Sequence, residues 1–299
     1  MLRVLATVFA GLLGLAFGSF LNVCLSRWPA GESVVRPRSH CRNCGRTLTW
    51  WENVPLVSWL ALRGHCRTCK AAIGWRYPLV ELAVGSLWAC SAWKSTALFV
   101  DPRVELNSPD AVLAFIQLEH GLGRMAFLWA LTCLAFLDAE HFWLPDRITI
   151  PGTLIGVLFE AVWAAQVQWF FMLNPALWFL KTLGIRVLCA AGAAGAILLI
   201  RWLYWLIRRR EGIGLGDAKL MAMLAAWLGL AGTLLAFAIG VIAGAVVALI
   251  ILVAAKRQSE TSRLAHKQLP LGTFLCIGGI VSSLWGQPII DAYLRLAGF

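Results

Sequence analysis

Two aspartates stand where apolar runs of this chain meet polar ones. Asp138 closes one run in Leu137-Asp-Ala-Glu-His-Phe-Trp-Leu-Pro-Asp146, and Asp217 opens another in Gly214-Leu-Gly-Asp-Ala-Lys219. Acidic side chains at membrane spans are costly to keep there, which makes them candidates for chemistry. Two carboxylates on one water form an aspartic-protease dyad. One takes the water's proton while the other, protonated, polarises the scissile carbonyl; close like charges cannot both ionise cheaply, so the pair shares a proton. Gly214 and Gly216 carry no side chain and would let backbone or substrate approach Asp217, and Lys219 supports the site from the same motif. Asp217 lies near a helix N-terminus and Asp138 near a C-terminus, which places the shared proton on Asp138. Plainer readings remain: Asp217 or Asp146 as helix caps, and Asp138 in a solvated turn. Intramembrane acids also relay ions, so a proton- or ion-coupled transporter is the rival reading.

The second constellation is four cysteines, Cys41-x-x-Cys44 and Cys66-x-x-Cys69. Paired CxxC turns at this separation suit a tetrahedral zinc site, because each turn lets two sulfurs converge on one metal. The segment repeats: His40-Cys-Arg-Asn-Cys-Gly-Arg-Thr-Leu-Thr-Trp50 aligns with His65-Cys-Arg-Thr-Cys-Lys-Ala-Ala-Ile-Gly-Trp75. Two equivalent knuckles facing one metal produce such a repeat. Disulfides or free thiols are the alternatives, and a reducing face disfavours disulfides. Four cysteines close the shell, which leaves His40 and His65 for supporting roles and makes the zinc structural. The remaining five of the nine cysteines lie singly in apolar runs and read as small buried hydrophobes.

These residues need a membrane to position them. Of 299 residues, 60% are hydrophobic and 14% charged, with sixteen tryptophans; an average soluble domain is about 25% charged. That excludes disorder, coiled coil and an ordinary soluble enzyme. A spanning helix needs about 20 apolar residues, and eight runs qualify: roughly 4–25, 78–99, 122–138, 148–170, 184–206, 218–232, 233–255 and 271–290. The sixth and seventh run together, with Gly229, Gly232 and Thr233 marking a tight re-entry. The first is read as a retained helix, since no cleavage site precedes Arg27. The fold class is therefore an all-α polytopic membrane protein of about eight transmembrane helices with a cytoplasmic zinc-binding loop of four cysteines. It divides into a first helix (1–25), the zinc loop (26–77), a second helix with an extracytoplasmic loop (78–121) and the remaining helices (122–299).

The net charge is +11. Nineteen of the 26 basic residues fall in segments 26–77, 139–147, 201–219 and 256–270, which follow the first, third, fifth and seventh spans. The positive-inside rule makes that face cytoplasmic and the N-terminus extracytoplasmic. The opposite loop, 100–121, carries Asp101, Glu105, Asp110 and Glu119 against Arg103 alone. Arg3, Lys181 and Arg186 violate the rule. The basic charge is divided among loops with no recognition-helix pattern, so nucleic acid is not the partner. The zinc loop and both aspartates share the cytoplasmic face by parity, and the basic side chains there suit lipid headgroups.

The ordered motifs resemble the bacterial type IV prepilin peptidases, or leader peptidase/N-methyltransferases. They are Gly18-Ser-Phe-Leu-Asn-Val23, Pro37-Arg-Ser-His-Cys41 with Cys44, Asn53-Val-Pro-Leu-Val-Ser58 and Arg63-Gly-His-Cys66 with Cys69. There follow Arg76-Tyr-Pro-Leu-Val-Glu81, Leu144-Pro-Asp-Arg-Ile-Thr-Ile-Pro151, Gly214-Leu-Gly-Asp-Ala-Lys219 and Leu269-Pro-Leu-Gly-Thr-Phe-Leu275. The resemblance implies a membrane aspartic protease of the bacterial inner membrane, acting at its cytoplasmic face. Its substrates would be type IV prepilins or type II secretion pseudopilins, cut after a glycine and N-methylated from S-adenosylmethionine. By position it implies Asp138 and Asp217 as the catalytic pair, with Glu140 and Asp146 as nearby alternatives, and links the four-cysteine loop to zinc and methylation. Glu81, Glu140 or Glu211 would attract the basic leader. Where the family usually has Pro-Phe-Gly-Pro, this chain has Pro270-Leu271-Gly272-Thr273, a departure that touches helix entry and nothing catalytic. No Gly-rich fingerprint for S-adenosylmethionine is visible. A pilin-binding scaffold without catalysis is the third functional class.

Overall fold

The computed structural model describes residues 1–98, 109–210, 214–257 and 269–298. Asp101, Arg103, Glu105, Glu211, Arg263 and Lys267 lie outside the described residues. The helices are α1 (Leu2–Arg27), the short α2 (Val57–Ala61), α3 (Arg76–Ser95), α4 (Pro109–His141), α5 (Asp146–Phe170), α6 (Pro175–Arg208), α7 (Leu215–Arg257) and α8 (Leu271–Leu296). Among the described residues the only β pairing is two isolated bridges in the cysteine loop. Among the described residues, six helices are long and apolar enough to cross a membrane: α1, α4, α5, α6, α7 and α8. This is a multi-pass membrane protein. The eight expected spans are roughly matched when α7 is counted as two arms and α3, which is not among the six, is added.

Two helices start earlier than expected. Residues 109–121, assigned by sequence to an outer loop, form the first turns of α4, where Ala111 and Ala114 are buried one turn apart and Ile116 is buried as well. Helix α6 starts at Pro175, not near 184, because Asn174 caps it: its side chain accepts from the N–H groups of Ala176 and Leu177 at 3.1 and 3.2 Å. Lys181 falls in these added turns, with its ammonium 4.3 Å from the centre of the Trp178 ring.

The chain forms two compact units, Met1–Cys133 and Leu134–Phe299, divided within α4. In the first, α1 and α3 run antiparallel, with Gly11 against Ala89, Gly14 against Gly85 and Trp88, and Gly18 against Glu81.

In the second unit, α7 folds back on itself. Its first arm starts beside α5, where Lys219 reaches Asp146, and runs inward until Trp227 Nε1 donates to the Gly152 carbonyl. Its second arm returns along α8: Ser282 donates to the Gly232 carbonyl, while Gly240 and Gly244 lie against Leu275 and Phe274 at the start of α8. The reversal sits at Gly229, with φ 67° and ψ −174°, a conformation that costs any residue with a Cβ. The turn thus falls on the first of the three residues that marked it, Gly229, a few residues before the expected 232/233 boundary. Breaking a helix in lipid frees carbonyls that must find donors. Arg186 of α6 supplies one, with Nη1 3.5 Å from the Trp227 carbonyl, and its Nη2 pairs with Glu160 of α5 at 2.7 Å. The sidedness violation at Arg186 is therefore a part-buried ion pair at the α7 turn.

Candidate active site

Asp138 lies in the last turn of α4 and Asp217 in the first turn of α7. Both are buried, at 6% and 9% exposure, whereas Glu140 and Asp146 nearby face solvent. Leu144, in the link between α4 and α5, lies against Gly216 and beside Gly272. A Cβ on Gly272 would sit 2.9 Å from both Asp138 Oδ2 and Leu144 Cδ1, and one on Gly216 would sit 3.0 Å from Leu144 Cβ. The two carboxylates lie within electrostatic reach of one another. Gly216 therefore admits Leu144, where the sequence suggested that it admits substrate, and that contact draws the two motifs together. Gly214 plays the other part: it is exposed, and its N–H donates to Asp217 Oδ2 at 3.2 Å. Asp217 is thus not the residue ahead of the helix, as the capping reading had it, but the third residue of α7, reaching back to the N–H before the helix begins.

Asp138 is held by a residue that the sequence did not single out. The Thr273 N–H donates to its Oδ2 at 2.6 Å, and the Thr273 hydroxyl lies 3.1 Å from the same oxygen and 3.1 Å from the Ala135 carbonyl. Thr273 stands in the first turn of α8. Asp138 thus meets the N-terminus of α8 as well as the C-terminus of α4, which removes the helix-end argument for placing the shared proton on it. The Pro270-Leu271-Gly272-Thr273 departure was expected to touch helix entry alone. It supplies both donors to Asp138, and a proline at the fourth position would have neither.

The remaining candidates sit outside the pair. Lys219 donates to Asp146 Oδ1 at 2.6 Å and ties α7 to α5. Asp146 is solvent-exposed, as is Glu140, whose carboxylate is 3.8 Å from the His141 ring. Glu81 is buried, and its carboxylate accepts the Leu56 N–H at 2.8 Å, so it is not a surface charge for a basic leader.

The four loop cysteines converge, with all four sulfurs within 4.8 Å of one another. Cys41 and Cys69 are 3.7 Å apart, close to the roughly 3.8 Å edge of a tetrahedron with 2.3 Å metal–sulfur bonds. The sequence repeat is a structural one. The bridge His40–Thr47 recurs as His65–Ala72, 25 residues on. The Cys41 N–H donates to the Arg46 carbonyl and the Cys66 N–H to the Ala71 carbonyl, at 2.9 and 2.8 Å. The left-handed turn at Gly45 recurs at Lys70. His40 and His65 each turn Nδ1 toward a backbone carbonyl two residues back, Arg38 and Arg63, and neither joins the sulfur cluster.

The thiols are tuned apart. The Asn43 amide and the Ala71 N–H bring Cys69 down to about 6, and the N–H groups of Cys69 and Thr68 lower Cys66. The Arg46 N–H also favours the Cys44 thiolate, but burial and the three neighbouring sulfurs outweigh it and leave that thiol at about 11. Four sulfurs this close cannot all ionise without a cation among them, and this donor set can hold a soft metal ion.

Residues 125–249 match the Type IV leader peptidase family, and residues 12–95 match the Bacterial Peptidase A24 N-terminal domain. The chain is 33% identical to a prepilin leader peptidase/N-methyltransferase of Stutzerimonas stutzeri, over 95% of this chain and 92% of the relative. It is 34% identical to the protein of the same name from Pseudomonas aeruginosa, over 99% and 95%, and 35% identical to that of Burkholderia pseudomallei, over 97% and 88%. The chain belongs to the type IV leader peptidase family. No solved structure matches it. Both constellations of this family member fall inside matched segments: the cysteine knuckles in the first, and Asp138 and Asp217 in the second. Thr273 lies beyond both.

Proposed function

We propose that this chain removes the leader peptide of type IV prepilins or type II secretion pseudopilins and N-methylates the new terminus. The single observation carrying the proteolytic half is that Asp138 and Asp217 are both buried at the ends of two apolar helices, within electrostatic reach of one another. The pair activates a water between them. One carboxylate takes its proton as the oxygen attacks the scissile carbonyl, and the other, protonated, donates to the carbonyl oxygen. The leaving amine then takes a proton from the pair as the C–N bond breaks. The substrate fits this placement: a prepilin's apolar helix lies in the bilayer with its basic leader at the cytoplasmic edge, level with the two acids. The protein would sit in the bacterial inner membrane with its N-terminus extracytoplasmic and the aspartates and cysteine loop at the cytoplasmic face, as the basic segments indicate.

Cys41, Cys44, Cys66 and Cys69 would hold zinc as a closed, structural site. S-adenosylmethionine, when bound, would supply an electrophilic methyl group to the neutral amine of the new terminus, with loss of one proton from that amine. The test is product mass. Detergent-purified protein incubated with a prepilin and S-adenosylmethionine should yield mature pilin heavier by one methyl, and Asp138→Ala and Asp217→Ala should each lower cleavage by on the order of 10³-fold. Cleavage without the methyl increment would remove the methyltransferase half. Maturation that survives both substitutions would favour the transporter reading.

A further inference from the structure

Five motifs of the first unit are left unexplained by the protease pair, and they converge on one cavity. Gly18–Val23, Pro37–Cys41, Asn53–Ser58, Arg63–Cys66 and Arg76–Glu81 all contribute to a space of about 770 Å³ beneath the cysteine knuckles, lined among others by Ser19, Asn22, Asn53, Ser58, Tyr77 and Glu81. Small-molecule sites run roughly 300–1,000 Å³. Gly18 allows the close packing that makes its floor, since a Cβ there would lie 2.7 Å from the Glu81 Cα.

The floor is polar and incompletely satisfied. Asn22 is 2% exposed; its Nδ2 donates to the Tyr77 carbonyl at 2.9 Å, while its Oδ1 is buried without a hydrogen-bond partner. Glu81 is 7% exposed, with Oε2 on the Leu56 N–H. An orphaned buried acceptor and a buried carboxylate in one cavity are costly unless a ligand brings donors and positive charge. Arg27, also on the lining, is occupied by the Ser33 and Pro37 carbonyls at 2.9 and 2.8 Å, so it is not held ready for a phosphate. Trp59 and Tyr77 add flat apolar surface, and Arg67 lines the same space with a guanidinium suited to a carboxylate.

We propose that this cavity binds S-adenosylmethionine, with Asn22 and Glu81 as its buried polar anchors. The molecule matches the lining in kind: an aminopurine and ribose hydroxyls donate hydrogen bonds, a sulfonium and an ammonium carry positive charge, and a carboxylate answers Arg67. An anionic lipid headgroup could meet Arg67 but would bring no positive charge to Glu81. The inference rests on the methyltransferase half of the function proposed above.

The test starts with the unaltered full-length protein. Ultraviolet crosslinking of radiolabelled S-adenosylmethionine, followed by peptide mapping, should place the label within residues 19–27, 53–62 or 71–81; label in α5–α8 overturns the assignment. Glu81→Gln and Asn22→Leu should each raise the Kd for S-adenosylhomocysteine by about tenfold or more, with metal content equal to that of the unaltered protein. Unchanged affinity in both variants, from a protein that still methylates prepilin, overturns the cavity and leaves the methyltransferase standing. An unaltered protein that neither binds the donor nor methylates removes that reading and the cavity with it. Displacement of the label by mature pilin N-terminal peptide but not by S-adenosylhomocysteine assigns the space to the acceptor and also overturns the proposal.

Discussion

Asp138 is oriented by Thr273, 135 positions along the chain. The hydroxyl has one proton and two acceptors within 3.1 Å, so it donates to the carboxylate only part of the time, whereas the N–H donates at 2.6 Å without competition. Thr273→Val keeps the backbone donor and loses the hydroxyl. It should lower the kcat for prepilin cleavage by about three- to tenfold with KM unchanged, a split that steady-state kinetics on a purified prepilin reads directly. The two aspartates were legible because acids beside long apolar runs are rare, and counting crossings put both at one face. Thr273 was not, because nothing local in Pro270-Leu271-Gly272-Thr273 signals which side chain its N–H will meet. Glu81 was misjudged for a related reason: a lone acid near a span end reads as solvated until the helix packed on it is known.

The cysteine knuckles and the α7 hairpin illustrate opposite degrees of legibility among elements. In the knuckles, ligand spacing and the 25-residue repeat each constrain the backbone, and the bridges at His40 and His65 follow the repeat residue for residue. Along α7 the apolar character is unbroken, so periodicity shows no edge. The reversal falls on Gly229, the glycine against which the Arg186 guanidinium lies. Arg186→Met should lower the Tm in detergent by more than Arg186→Met combined with Glu160→Gln, because the single change takes the guanidinium from a buried carboxylate and leaves its charge, whereas the double change removes both charges; equal losses would show that the pair contributes nothing as a pair. A pH signature belongs to the first knuckle. The Arg46 guanidinium, with the Thr49 hydroxyl and N–H, holds the Glu52 carboxyl at about 2, against about 4.3 for an ordinary glutamate. A lowered folded-state value stabilises fully above about pH 4.3 and loses its effect as pH falls toward 2. Glu52→Gln should therefore be less stable than the parent at pH 7, and the difference should shrink between roughly pH 5 and 2 in tryptophan-fluorescence unfolding.

At the scale of the molecule, the chain holds its two constellations in separate compact units, the thiolate cluster and the donor-sized cavity in Met1–Cys133 and both aspartates in Leu134–Phe299. Cys41→Ser should consequently depress methylation of a prepilin more than its cleavage, measured in one reaction as the ratio of methylated to unmethylated product; equal loss of both would contradict separate sites. The apolar composition had already announced lipid, and the exposed leucines, isoleucines and tryptophans of α6 and of the second arm of α7 are what lipid covers. The order in which these helices are made adds something further. Glu160 is synthesised 26 residues before Arg186, so when α6 reaches the translocation machinery its counter-ion is already at hand in α5. An arginine entering the bilayer alone is strongly disfavoured, and one entering beside its partner is not. Helices α5 and α6 are thus built to insert as a pair, and the carbonyl of Trp227 finds its donor waiting when α7 arrives and turns.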